Sequence, residues 1–121
     1  MSRRIISEST RLYTPADRVW GWIGEFTNIA AWHPRVLEGR HGYDGTQHRR
    51  ELDIGAESWL IERLGSHDDD AMRYHYTIVS GPFPVREAEG RLWLTADTMG
   101  SCTVNWELRV VPEREDAVAA I

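Results

Sequence analysis

The sequence predicts an α+β domain: a curved, seven-stranded antiparallel sheet with two short helices after the first strand and a shortened C-terminal helix. Three observations predict it. Helix-spaced apolar residues are confined to one early stretch, Val19, Trp20, Ile23 and Phe26. Six strand-like segments separated by turn residues follow. After Pro112 the pattern changes to an acidic run that reads as the first turns of a helix.

The elements follow in order. Arg3 to Leu12 alternates as a strand. Pro15 suits the first turn of a helix, where its missing N–H costs nothing, and Thr14 before it can serve as the N-cap. That helix stops near Gly24, and a second short turn carries Asn28 to Ala31. His33-Pro34 ends it, because the residue before proline is pushed out of the helical region. Val36 to Tyr43 and His48 to Ile54 form a hairpin about Asp44-Gly45, a strong turn pair. Ser58 to Ser66 is the fourth strand, and His67-Asp68-Asp69-Asp70 the turn after it. Met72 to Ser80 is the fifth, broken by Gly81-Pro82-Phe83-Pro84. Val85 to Ala96 is the sixth, with Gly90 marking a bend or bulge. Cys102 to Val111 is the seventh, with Cys102, Val104, Trp106, Leu108 and Val110 on one face. Glu113 to Ile121 begins the last helix. A sheet of this kind, curled and with little helix to fill it, leaves a hydrophobic cavity.

Composition narrows the class. At 121 residues the chain reads as one domain, 1–121. A net charge of -5 argues against nucleic acid, which needs a concentrated basic face. The basic pairs Arg3-Arg4 and Arg49-Arg50 have acidic neighbours and read as solvated. Cys102 is the one cysteine, which excludes an intrachain disulfide and suits a reducing, cytoplasmic setting. No apolar run approaches the roughly 20 residues of a membrane span, and the N-terminus lacks the apolar core of a secretion signal. Six tryptophans are many for this size, and they divide between core filling and lining a pocket.

An ordered set of segments then points to a family. It comprises Pro15-Ala16-Asp17-Arg18-Val19-Trp20, Phe26 with Ala31-Trp32-His33-Pro34, and Glu62-Arg63-Leu64. It continues with Arg73-Tyr74-His75-Tyr76-Thr77-Ile78, Gly81-Pro82-Phe83-Pro84-Val85 and Thr103-Val104-Asn105-Trp106. From about residue 3 to 121 the chain resembles the START-like, or Bet v 1-like (SRPBCC), superfamily. More narrowly it resembles the bacterial polyketide cyclase/dehydrase and lipid-transport-like group. The resemblance implies a helix-grip fold, in which the sheet wraps a long C-terminal helix over the cavity. Here that helix has about nine residues, roughly 13 Å at 1.5 Å per residue. The expectation is a truncated domain, a more open cavity, or one covered by a second copy in a homodimer.

Glu62 is the sharpest chemical candidate. It shares a strand face with Leu60 and Leu64, which places a carboxylate in apolar surroundings as a general acid or base or an anchor for a ligand hydroxyl. The alternative is an ion pair with Arg49 or Arg50 on the neighbouring strand. Tyr74 and Tyr76 share a face and offer hydroxyls, Tyr74 as a second proton-handling group. Trp32 and Trp106 read as cavity walls or as core, and His33 as an entrance proton shuttle or a capping residue. Arg49, Leu60, Leu64 and Tyr76 complete the expected pocket. Trp59 and Trp93 fall on the opposite face, as a contact surface. The histidines lack paired metal-ligand spacing, and His67-Asp68-Asp69-Asp70 reads as a solvated turn. No metal and no cofactor are expected.

The first function expected is that of a carrier for a small hydrophobic or polyketide-like molecule. The second is a cofactor-independent cyclase or dehydratase using Glu62 and a tyrosine. The third is an interaction module whose groove captures a partner's helix.

Overall fold

The structure, a computed structural model, describes residues 3–114. One antiparallel sheet contains β1 (Arg4–Leu12), β2 (Glu38–Asp44), β3 (Gln47–Asp53), β4 (Trp59–Asp68), β5 (Arg73–Ser80), β6 (Val85–Thr98) and β7 (Ser101–Pro112). Its order is β1-β7-β6-β5-β4-β3-β2. Strands adjacent in sequence pair as hairpins, except that β1 joins the last strand and β2 forms the other edge. The segment between β1 and β2 must therefore cross the whole sheet. It does so as α1 (Ala16–Ile23) followed by a 3-10 helix (Phe26–Ala31).

Alternation decides which face receives that crossing. On β6 and β7, Leu92, Leu94, Cys102 and Val110 are buried on the inner face, as period two requires. The apolar stripe of α1, with Val19, Trp20 and Ile23, seats on Tyr74, Leu92 and Cys102. A smaller cluster forms at the other end from Ile29, Val36 and Leu52.

Several local expectations are corrected. Helix α1 begins at Ala16, and Pro15 occupies the capping place with φ -56° and ψ 143°. No side chain caps this helix, so Thr14 does not; the Pro15 carbonyl instead accepts from the N–H groups of Arg18 and Val19, each at 3.1 Å. The fixed φ of proline serves either position. Strand β4 runs on through His67 and Asp68, which pair with Tyr74 and Arg73 across a bulge after Leu64. The sequence placed a solvated turn over His67 to Asp70; all four residues are exposed, but the turn begins only at Asp69. Asp69 accepts from the Trp20 indole N–H at 2.9 Å, and His67 Nε2 lies 2.9 Å from the Gly24 carbonyl oxygen. The hairpin end is thus fastened to the C-terminus of α1.

Gly90 marks no bulge, since pairing on both sides of it is regular. It stands opposite Tyr76, and a Cβ there would collide with the end of the Tyr76 ring and its hydroxyl. Glycine is required so that the phenol can lie flat across β6. The helix expected over Glu113–Ile121 lies outside the described residues, apart from the bend at Glu113 and Arg114.

Candidate functional site

The two helices cover the inner face unequally. Beyond the 3-10 helix the face opens into an apolar cleft of about 660 Å³. Its floor includes Leu52, Leu60, Ile78 and Leu108, and its far wall the segment from Ile29 to Leu37. Ile6, Leu37 and Phe83 form an exposed apolar rim.

At the inner end of the cleft sits a buried charge pair. Arg50 and Glu62 face each other directly across β3 and β4. Arg50 Nε donates to Glu62 Oε1 at 2.7 Å, and Nη2 lies 2.6 Å from the same oxygen. Arg50 Nη1 donates to the Phe26 carbonyl at 2.7 Å. The guanidinium lies over the Phe26 ring at 4.0 Å and the Tyr76 ring at 5.1 Å. Arg50 is 1% exposed and Glu62 3%. Such a pair persists because each charge is neutralised and hydrogen-bonded by the other. Arg50 also ties the sheet to the start of the 3-10 helix.

Burial pushes the Glu62 carboxyl above its usual range, and the Arg50 guanidinium opposes that push. Burial, then the negative charge of Glu62, push the Tyr76 hydroxyl upward, so it remains protonated. Trp106 Nε1 donates to the Tyr76 hydroxyl oxygen at 2.8 Å. Arg50 Nη1 lies 3.5 Å from the Tyr74 hydroxyl, at the limit of a hydrogen bond.

The mouth is aromatic. Trp32, His33 and Trp106 form a cluster with ring centroids 5.4–5.7 Å apart. His33 Nδ1 accepts from the Arg35 backbone N–H at 3.1 Å, which places the neutral ring's proton on Nε2. Burial, then the charges of Arg35 and Arg50, lower the His33 pKa. Glu8 and the Arg35 side chain add one charge of each sign.

The structure therefore brings His33, Leu60, Glu62, Tyr76 and Trp106 to the cleft. Trp32 packs behind Trp106 instead, with its indole nitrogen buried and without an acceptor among the described residues. Tyr74 and Leu64 lie in the core beneath α1. Arg49 was expected in the pocket and is not there. It projects from the opposite face, 3.3 Å from both Asp44 and Glu51. Of the basic pair read as solvated, Arg50 is among the most deeply buried side chains. A signal for this was present: Leu52 is inward on the same strand, and period two then makes Arg50 inward and Arg49 outward. Tyr74 and Tyr76 hold their hydroxyls inside, each residue being 2% exposed. Glu8 and the rim residues Leu37 and Phe83 carried no sequence signal, since chain crossings place them. Trp59 lies on the other face beneath the Arg40 guanidinium at 4.6 Å. Among the described residues no group of three His, Cys, Asp or Glu side chains could hold a metal ion.

Comparisons with other proteins agree on the fold. The family described as polyketide cyclase / dehydrase and lipid transport matches residues 3–121. A solution structure from Thermobifida fusca is 30% identical with a TM-score of 0.83, covering 93% of this chain and 77% of that one. The protein XoxI from Bacillus cereus is 24% identical with a TM-score of 0.87, covering 97% and 82%. An aromatase/cyclase from a Streptomyces, Zhui, is 16% identical with a TM-score of 0.78, covering 93% and 70%. Among curated proteins, no sequence matches the chain.

Proposed function

The chain belongs to the polyketide cyclase / dehydrase and lipid transport family, and on that premise we propose that it binds a small, partly apolar organic molecule in the cleft, as a carrier. One observation carries this reading. The cleft has the volume of a small-molecule site, an apolar lining and a few convergent polar groups at its inner end. Aliphatic side chains would remove the body of such a ligand from water at about 25 cal/mol per Å². The Arg50–Glu62 pair favours holding over turnover. A carboxylate whose Oε1 takes both guanidinium contacts is a weaker proton acceptor than a free one in the same place. A cyclase or dehydratase would need Glu62 to act through its second oxygen, with substrate excluding water from the pair.

Native mass spectrometry of the protein purified from its own host tests the proposal. The expected result is a stoichiometric small-molecule adduct, lost when Leu60→Trp fills the cleft. An adduct that survives Leu60→Trp would place the ligand elsewhere and overturn the reading.

A further inference from the structure

The hydrogen-bonding capacity at the inner end of the cleft is specific in kind. Trp106 Nε1 can only donate, so its contact with Tyr76 uses the phenol oxygen as an acceptor. The Tyr76 O–H is therefore left to donate, and among the described residues nothing accepts it. Glu62 uses Oε1 for both contacts with Arg50, and Oε2 has no donor among the described residues. Both residues line the same cleft. They lie on adjacent strands, with Tyr76 paired to Leu64 and Glu62 to Ile78. Arg50 Nη2, in ion-pair contact with Glu62 Oε1, also lacks a hydrogen-bond acceptor among the described residues but is itself buried. Among the groups that line the cleft, the inner end thus offers one unused O–H donor and one unused carboxylate acceptor, over an ion pair neutral as a whole.

We propose that this end of the cleft selects a neutral hydroxyl, a phenol or alcohol on an otherwise apolar ligand. The inference rests on the binding reading above. A hydroxyl is both donor and acceptor: its hydrogen goes to Glu62 Oε2 and its oxygen accepts from Tyr76. A carboxylate would bring a second negative charge beside Glu62 in a poorly solvated place. An unsubstituted hydrocarbon would bury both polar groups unpaired. Gly90 belongs to the arrangement, because only glycine leaves room for the Tyr76 phenol across β6. The rim presents different chemistry: Arg35 and the His33 Nε2–H could hold an anion there, against the opposing charge of Glu8.

A matched probe series separates these outcomes. Calorimetric titration with naphthol, naphthalene and naphthoate holds the apolar skeleton constant. Naphthol is expected to bind about tenfold tighter than naphthalene, the effect of the two added hydrogen bonds, and naphthoate weaker than either. Tyr76→Phe should remove most of naphthol's advantage, in part by tightening naphthalene, which then no longer buries an unpaired hydroxyl. Equal affinity for all three would overturn the hydroxyl inference and leave cleft binding standing. Tightest binding by naphthoate would overturn it in favour of the rim. Failure of every probe to bind would overturn it together with the binding reading. Should Tyr76→Phe fail to fold, the wild-type series decides the matter.

Discussion

The inner face of the sheet is filled at one end and open at the other. At the filled end Trp20, Tyr74, Leu92 and Cys102 interlock beneath α1, and Leu92 and Cys102 are 0% exposed. At the open end the same strands carry side chains of the same kind, yet Leu60, Ile78 and Trp106 are only partly buried. The strands alternate identically at both ends. What differs is the crossing segment: an eight-residue α-helix with an apolar stripe covers one end, and a short 3-10 helix stands beside the other. The Arg50–Glu62 pair lies at the boundary and belongs to both regions, bonded to the helix start on one side and facing the cleft on the other.

Breaking the boundary should have the largest effect. Glu62→Ala leaves the Arg50 charge buried without its partner, a loss of about 3–5 kcal/mol in urea unfolding. Replacing both residues with apolar ones of similar volume should recover most of it, which a double-mutant cycle checks. Full stability in Glu62→Ala alone would mean that water reaches Arg50 and that the boundary is not dry.

The two ends can be compared directly with one substitution in each. Leu92→Ala in the filled end should cost about 2–5 kcal/mol, as a fully buried leucine that leaves a cavity. Leu60→Ala at the cleft floor should cost about 1 kcal/mol or less, because the cleft already adjoins it. Equal losses, read from denaturant midpoints at constant m-value, would show that the cleft is closed in solution.

Gly90→Ala sharpens the contact between the two ends. The new methyl would displace the Tyr76 phenol, costing about 1–3 kcal/mol. It should also weaken the Trp106 hydrogen bond, visible as a shift in tryptophan emission.

The smallest effect is on pH dependence. The His33 pKa is lowered from 6.5 in the folded protein by burial, then by Arg35 and Arg50. The unfolded chain therefore takes the proton first. The stability due to neutral His33 is present above 6.5 and is lost as pH falls through the folded-state value. His33→Gln should fall less in urea midpoint between pH 7 and pH 5 than the wild type. An identical fall in both proteins would remove His33 as a titrating group of the mouth.

Much of this was legible in the residues. Gly45 was legible as the pivot of the β2–β3 hairpin, where it takes φ 64°, but the turn is Gly45-Thr46, one residue beyond the expected Asp44-Gly45, and Asp44 still pairs with Gln47. Period two on β7 correctly put Cys102, Trp106 and Val110 on one face, and Glu62 was identifiable as a carboxylate on an apolar one. The ion pair of Glu62 with Arg50 was among the expectations and is present; only the reading of Arg50 as solvated was mistaken, because charge argues for the surface and only parity with Leu52 argues otherwise. Gly90 was mistaken because its reason is a ring on another strand, which no local pattern records.

The sequence by itself determined the elements, their order and the inward parity of most strand positions, since backbone preference and side-chain alternation act over a few residues. The tertiary structure alone decided that β1 pairs with β7 and so forces the crossing segment over one face. It also decided that this segment seals one end, and that Glu62, Tyr76 and Trp106 meet Arg50 at the edge of the seal. Those outcomes depend on contacts between residues distant in the chain, whose energies appear only when the strands are assembled.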